Sequence, residues 1–143
     1  MKQKSTKIDL DEIDLLLKDT KKDTVVLYTK LISICKTFNG MVMLSLIINH
    51  WREQGKFYRF QTPCNHELYL KGESWQEMTG FSRKVIRTAL NSIAIKRTVK
   101  NRESNEVKNA IVIYYTDKNR LTWYELNVKE LNKRIKSIGI GLI

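Results

Sequence analysis

The sequence predicts one mainly α domain carrying a small antiparallel β-sheet. Apolar residues recur at helical spacing in several segments, short aromatic stretches rich in β-branched residues lie between and after them, and Ser or Asn stands where such helices would begin. A chain of 143 residues, 42% of them apolar, can enclose a single core and is too short for two ordinary ones.

Residues 9–18 open with Asp9, Asp11 and Glu12, which favour a helix N-terminus, and Leu10, Ile13, Leu16 and Leu17 give an apolar stripe. After the polar link "KDTKKD", residues 24–38 read as a second helix. The consecutive Val25, Val26, Leu27 and Tyr28 also suit a strand, and Asn39-Gly40 reads as a C-terminal cap. A core helix is expected over residues 41–53, with Leu44, Ile47, Ile48 and Trp51 on one side. Beyond Gly55, "KFYRF" and "LYLK" flank the only proline and predict a hairpin or a pair of edge strands.

Ser74 is a candidate N-cap for a short helix through Trp75 and Met78, and Gly80 can supply the positive φ of a tight turn. Ser82 caps the next helix. There Val85, Ile86, Ala89, Leu90 and Ile93 form the inward stripe, leaving Arg83, Lys84, Arg87, Thr88 and Asn91 outward. Strands are expected at residues 97–102, 110–116 and 121–126, the last two joined by the polar turn "DKNR". Asn127 and Glu130 make a capping box for a last helix with the stripe Val128, Leu131, Ile135 and Ile138, before the apolar tail at residues 140–143.

Charge indicates the partner. The chain has 26 Lys and Arg against 15 Asp and Glu, a net +11, so polyanions are attracted and basic partners repelled. From Phe81 to Arg102 there are seven basic residues and no acid. Arg, Thr and Asn on one helix face are the side chains that bond phosphates and base edges in a major groove.

"WQEMTGFSRKVIRTALNSI" followed by β-prone segments resembles the helix-turn-helix of the winged-helix superfamily, and the wider order over residues 41–131 is similar to winged-helix domains of phage and plasmid proteins. That resemblance implies a winged helix-turn-helix domain at residues 41–131, a helical extension at 1–40 as a candidate dimerisation element, and a C-terminal helix and tail at 132–143. It places Ser82, Arg83, Lys84, Arg87, Thr88 and Asn91 in the recognition helix, and Lys96, Arg97, Lys100, Arg102 and Lys108 in or near the wing. The family pattern commonly closes that helix with Gly and an apolar pair, where this chain reads "SIAIKRTV".

The function expected is sequence-specific binding of double-stranded DNA by a homodimer, as a repressor of a mobile element or its bacterial host. The alternatives are a replication-initiation module that binds an origin and recruits replication proteins, and a protein-interaction module on the same scaffold. An enzyme is not expected: phosphate-cradling Gly-rich loops, HExxH and GxSxG are missing from the sequence, which has two histidines. No cofactor or metal is expected, since Cys35, His50, Cys64 and His66 lack the paired spacing of a zinc site. The cysteines are expected reduced and the protein cytoplasmic, with no membrane partner, because no apolar run reaches spanning length. Trp51, Trp75 and Trp123 are expected in the core, and about half of Tyr58, Tyr114, Tyr115 and Tyr124 outside it.

Overall fold

The structure, a computed structural model, describes residues 25–139; the helix expected at residues 9–18 and the tail at 140–143 lie outside them. A 3-10 turn, Thr29–Leu31, leads into α1 (Ile32–Cys35), and α2 (Phe38–Gln54) follows. Next come β1 (Phe57–Tyr58), α3 (Trp75–Thr79), α4 (Arg83–Ile93), β2 (Ala94–Lys96) and α5 (Asn105–Lys108). A hairpin of β3 (Val112–Thr116) and β4 (Thr122–Leu126) precedes α6 (Val128–Ser137).

The central helix α2 is buried without interruption from Gly40 to Ile47, because α1, α4 and the sheet surround it. Met41, Met43, Leu44, Leu46 and Ile47 meet Trp75, Ile86, Leu90, Val112 and Tyr124 in one core, which Leu31, Cys35 and Leu131 close from the two ends. Burial pushes the Cys35 thiol up to about 11, so it packs as a neutral apolar group.

Residues 25–28 form no strand. Their polar groups go to α2 instead: the Tyr28 amide donates to Ser45 Oγ at 2.9 Å, the Tyr28 hydroxyl donates to Asn49 Oδ1 at 2.6 Å, and Asn49 Nδ2 donates to the Val26 carbonyl at 2.9 Å. The single helix expected over residues 24–38 is also broken, at Lys36, whose φ of 65° ends α1. Thr37 then caps α2 by accepting from the Gly40 amide at 3.0 Å. Asn39-Gly40 therefore lies in the first turn of α2 rather than ending a helix. Gly40 is required there because a Cβ would come within 2.7 Å of both Ser92 Oγ and Thr37 Oγ1.

The four strands lie in the order β1-β4-β3-β2. β1 pairs antiparallel with β4, and β3 with β4, but β2 runs parallel to β3 with Ala94 opposite Val112. The sheet is thus mixed, correcting the antiparallel expectation. The reason is that β2 leaves α4 without a loop, and a parallel neighbour needs a long return path, which residues 97–111 and α5 provide. The strand expected at residues 97–102 is this return path, where Asn101 Oδ1 accepts from the Thr98 amide at 2.7 Å to make a local turn. The "KFYRF"/"LYLK" hairpin is likewise absent among the described residues; only Phe57 and Tyr58 extend, and their partner is β4.

On α6, Asn127 caps by accepting from the Glu130 amide at 3.0 Å, while the Glu130 carboxylate turns forward to Arg134 at 2.9 Å instead of closing the box. Of its apolar stripe, Leu131 is buried and Ile135 packs on the core, whereas Val128 and Ile138 remain exposed. No helix among the described residues is long and apolar enough by itself to cross a membrane; Thr29–Cys35 and Phe38–Gln54 pass that test only as a pair bent by 112°.

Candidate nucleic-acid interface

The segment from Ser74 to Ile93 is locally determined. Ser74 and Glu77 form a complete capping box, with Ser74 Oγ accepting from the Glu77 amide at 3.2 Å and the Glu77 carboxylate accepting from the Ser74 amide at 3.2 Å. The same carboxylate accepts from the Tyr69 hydroxyl at 2.5 Å and the Gly72 amide at 2.8 Å, and these donors hold it down at about 2. α3 is anchored to the segment after β1 by the Trp75 and Gln76 amides, which donate to the Phe60 and Gln61 carbonyls at 2.9 Å each.

Gly80 ends α3 with φ 76°, and its amide donates to the Gln76 carbonyl at 2.8 Å. A Cβ there would meet nothing within 4 Å, so only backbone strain opposes one. Gly80→Ala is expected to cost about 1–2 kcal/mol with the fold kept, measured by denaturant unfolding; no loss would mean that the turn relaxes.

Ser82 caps α4 by accepting from the Val85 amide at 3.2 Å. Ile86, Ala89, Leu90 and Ile93 are buried against α2, and Val85 is half-buried at the margin. The opposite face presents Arg83, Lys84, Arg87, Thr88 and Asn91, all exposed, within about 140° of arc at the helical repeat. Arg83, Arg87 and Asn91 form a ridge at four-residue spacing, with Lys84 and Thr88 beside it. Among the described residues none of these five side chains takes part in an ion pair or a hydrogen bond. Eleven residues make a rod of about 16 Å, long enough to lie across a major groove about 12 Å wide.

The other basic residues lie beyond α4. Lys96 ends β2, Lys100 and Arg102 are exposed on the return path, and Lys108 ends α5; none lies in the β3–β4 hairpin. Arg97 is engaged, its guanidinium 4.4 Å from the Tyr115 ring centroid and 3.7 Å from Glu125 Oε2. The hairpin tip carries Lys118 and Arg120, both exposed, within the turn "DKNR". The signal lay in "DKNR" itself, two cations in four residues.

Asp117 shapes that tip by accepting from the Asn119 amide at 2.8 Å, the Leu121 amide at 3.0 Å and Trp123 Nε1 at 2.8 Å. The Leu121 amide first, then the Trp123 indole, lower its pKa. His66 ties the tip to the loop after β1: its Nε2 donates to the Asn119 carbonyl at 2.8 Å while its Nδ1 accepts from the Leu68 amide at 3.0 Å.

His50 packs between Phe57 and Trp75, with ring centroids at 5.1 and 5.9 Å, and its Nδ1 donates to the Leu46 carbonyl at 2.7 Å. Burial lowers its pKa more than that hydrogen bond raises it. Since the unfolded chain takes up the proton first, this contribution is full above about pH 6.5 and is lost as the pH falls from there through the folded value. A second loss, from Glu77, follows between pH 4.5 and about 2. The melting temperature should therefore fall from pH 7 to 5, and His50→Phe should reduce that slope; an unchanged slope would remove His50 as its source.

No protein-family model, curated protein or solved structure matches the chain. Among the described residues no three His, Cys, Asp or Glu side chains gather as a metal group, Cys35 and Cys64 are free, and the latter is exposed.

Proposed function

We propose that the chain is a sequence-specific double-stranded DNA-binding protein on a winged helix-turn-helix scaffold. The observation that carries this reading is the exposed α4 face of Arg83, Lys84, Arg87, Thr88 and Asn91, unpartnered within the described protein and held on a helix capped at Ser82. The element order supports it: α2, β1, α3 and α4 come in turn, and a β3–β4 hairpin follows after β2 and α5. In this reading α4 enters the major groove and the wing is the β3–β4 hairpin, with Lys118 and Arg120 on the flanking phosphates. Lys100 and Arg102 on the return path add sequence-independent attraction.

One such helix reads only a few base pairs, so a homodimer on an inverted repeat, acting as a repressor by occupancy, is the form that gives useful specificity. Its candidate contact is the apolar groove of about 520 Å³ lined by Leu27, Tyr28, Leu31, Ile48, Leu131 and Ile135. Selection from a random duplex library, with the salt dependence of binding to an unselected duplex beside it, tests the reading. An enriched inverted repeat is the expected result; salt-sensitive binding with no enriched motif would reject base readout.

A further inference from the structure

The helices α2 and α4 cover one face of the sheet, and the opposite face carries an aromatic row. Tyr58 on β1, Trp123 on β4 and Tyr115 on β3 stand directly opposite one another in register, about 4.8 Å apart from strand to strand. All three are half-exposed, and Tyr58 meets Trp123 edge-on with ring centroids 5.2 Å apart. Cations interleave with the row: Lys56 Nζ lies over the Trp123 and Tyr115 rings, 5.3 and 5.6 Å from their centroids, and donates to the Tyr115 hydroxyl at 2.8 Å, and the Arg97 guanidinium lies over Tyr115.

Beside the row opens a cavity of about 320 Å³, lined by Lys56, Tyr58, Arg59, Phe60, Leu70 and Trp123. Arg59 is 9% exposed and held by its neighbours: its Nη1 donates to the Glu73 carbonyl at 2.6 Å and its guanidinium lies over the Trp75 ring. Half-exposed rings interleaved with cations beside a cavity together match the bases and phosphates of an unpaired strand. A second copy of this basic chain would bring like charge to Lys56 and Arg97.

We propose that this outer sheet face binds a short segment of single-stranded nucleic acid, its bases stacked on the Tyr58–Trp123–Tyr115 row and its phosphates met by Lys56. The surface is separate from the α4 face and rests on its own observations.

The test titrates the full-length chain with a labelled thymidine oligonucleotide of about twelve residues, and separately with duplex, reading anisotropy and tryptophan quenching. Tyr58→Leu with Tyr115→Leu should weaken oligonucleotide binding about tenfold or more and leave duplex binding within about twofold. Arg87→Ala should do the reverse. Should the double variant unfold, Lys56→Ala, an exposed position, carries the test through weaker and less salt-dependent oligonucleotide binding. Unchanged oligonucleotide affinity in these variants, or parallel loss of duplex and oligonucleotide affinity, would overturn the proposal. Conversion of a dimer to a monomer in the double variant would assign the face to a second copy instead.

Discussion

Trp75→Ala is expected to destabilise the fold by about 3–5 kcal/mol, a large part of the roughly 5–15 kcal/mol that holds a domain of this size together. The indole is fully buried at the first turn of α3, edge-on to Phe57 and Tyr124, with the Arg59 guanidinium 5.5 Å from its ring centroid. Its Nε1 donates to the Tyr124 hydroxyl at 3.1 Å. Truncation therefore opens a cavity and also orphans the Tyr124 hydroxyl, which burial already makes hard to ionise. Because α3 holds the turn into α4, duplex binding should fall on every sequence alike. A cooperative melt within a few degrees of the parent would show that the core closes around the gap.

Arg87→Ala should show the opposite pattern, an unchanged melt with about 1–3 kcal/mol lost at the preferred duplex. Arg87 stands mid-ridge between Arg83 and Asn91 and is exposed with no protein partner among the described residues, so its removal takes nothing from the fold. Lys118→Ala at the hairpin tip is the contrast, weakening all duplexes about equally and lowering the salt slope by about one. Equal losses on preferred and random duplex for Arg87→Ala would remove it from base readout.

The region between Ser74 and Ile93 was legible in the sequence because its determinants are local. A hydroxyl at Ser74, a residue free to take positive φ at Gly80, a second hydroxyl at Ser82 and a 3.6-residue stripe each act within one turn of chain. The β3–β4 hairpin and the cap at Asn127 were legible for the same reason. What escaped depends on distant partners. Tyr58 pairs with Trp123 and Ala94 with Val112, and nothing near either residue announces the other. Alternation along β4 shows that Trp123 and Tyr124 face opposite ways but not which of them meets the core. Trp123 was expected inside and lies on the outer face, while Tyr124 is fully buried. Arg97 was expected in or near the wing; Tyr115 and Glu125 hold it, both brought there by the parallel register of β2.

The position of Asn39-Gly40 at the head of α2 also bears on how the molecule ages. In a loose turn this dipeptide is a common site of deamidation, because the glycine nitrogen is free to swing onto the asparagine amide carbon and close a succinimide ring. Here that nitrogen donates to Thr37 Oγ1, and the backbone is held helical with Gly40 wedged beneath Ser92. The folded chain thereby protects a bond that the unfolded chain leaves open to attack. Peptide mapping of protein stored at mildly alkaline pH would register any transient opening of the α2–α4 contact as aspartate or isoaspartate at residue 39, a chemical record of how often the helix under the α4 ridge comes loose.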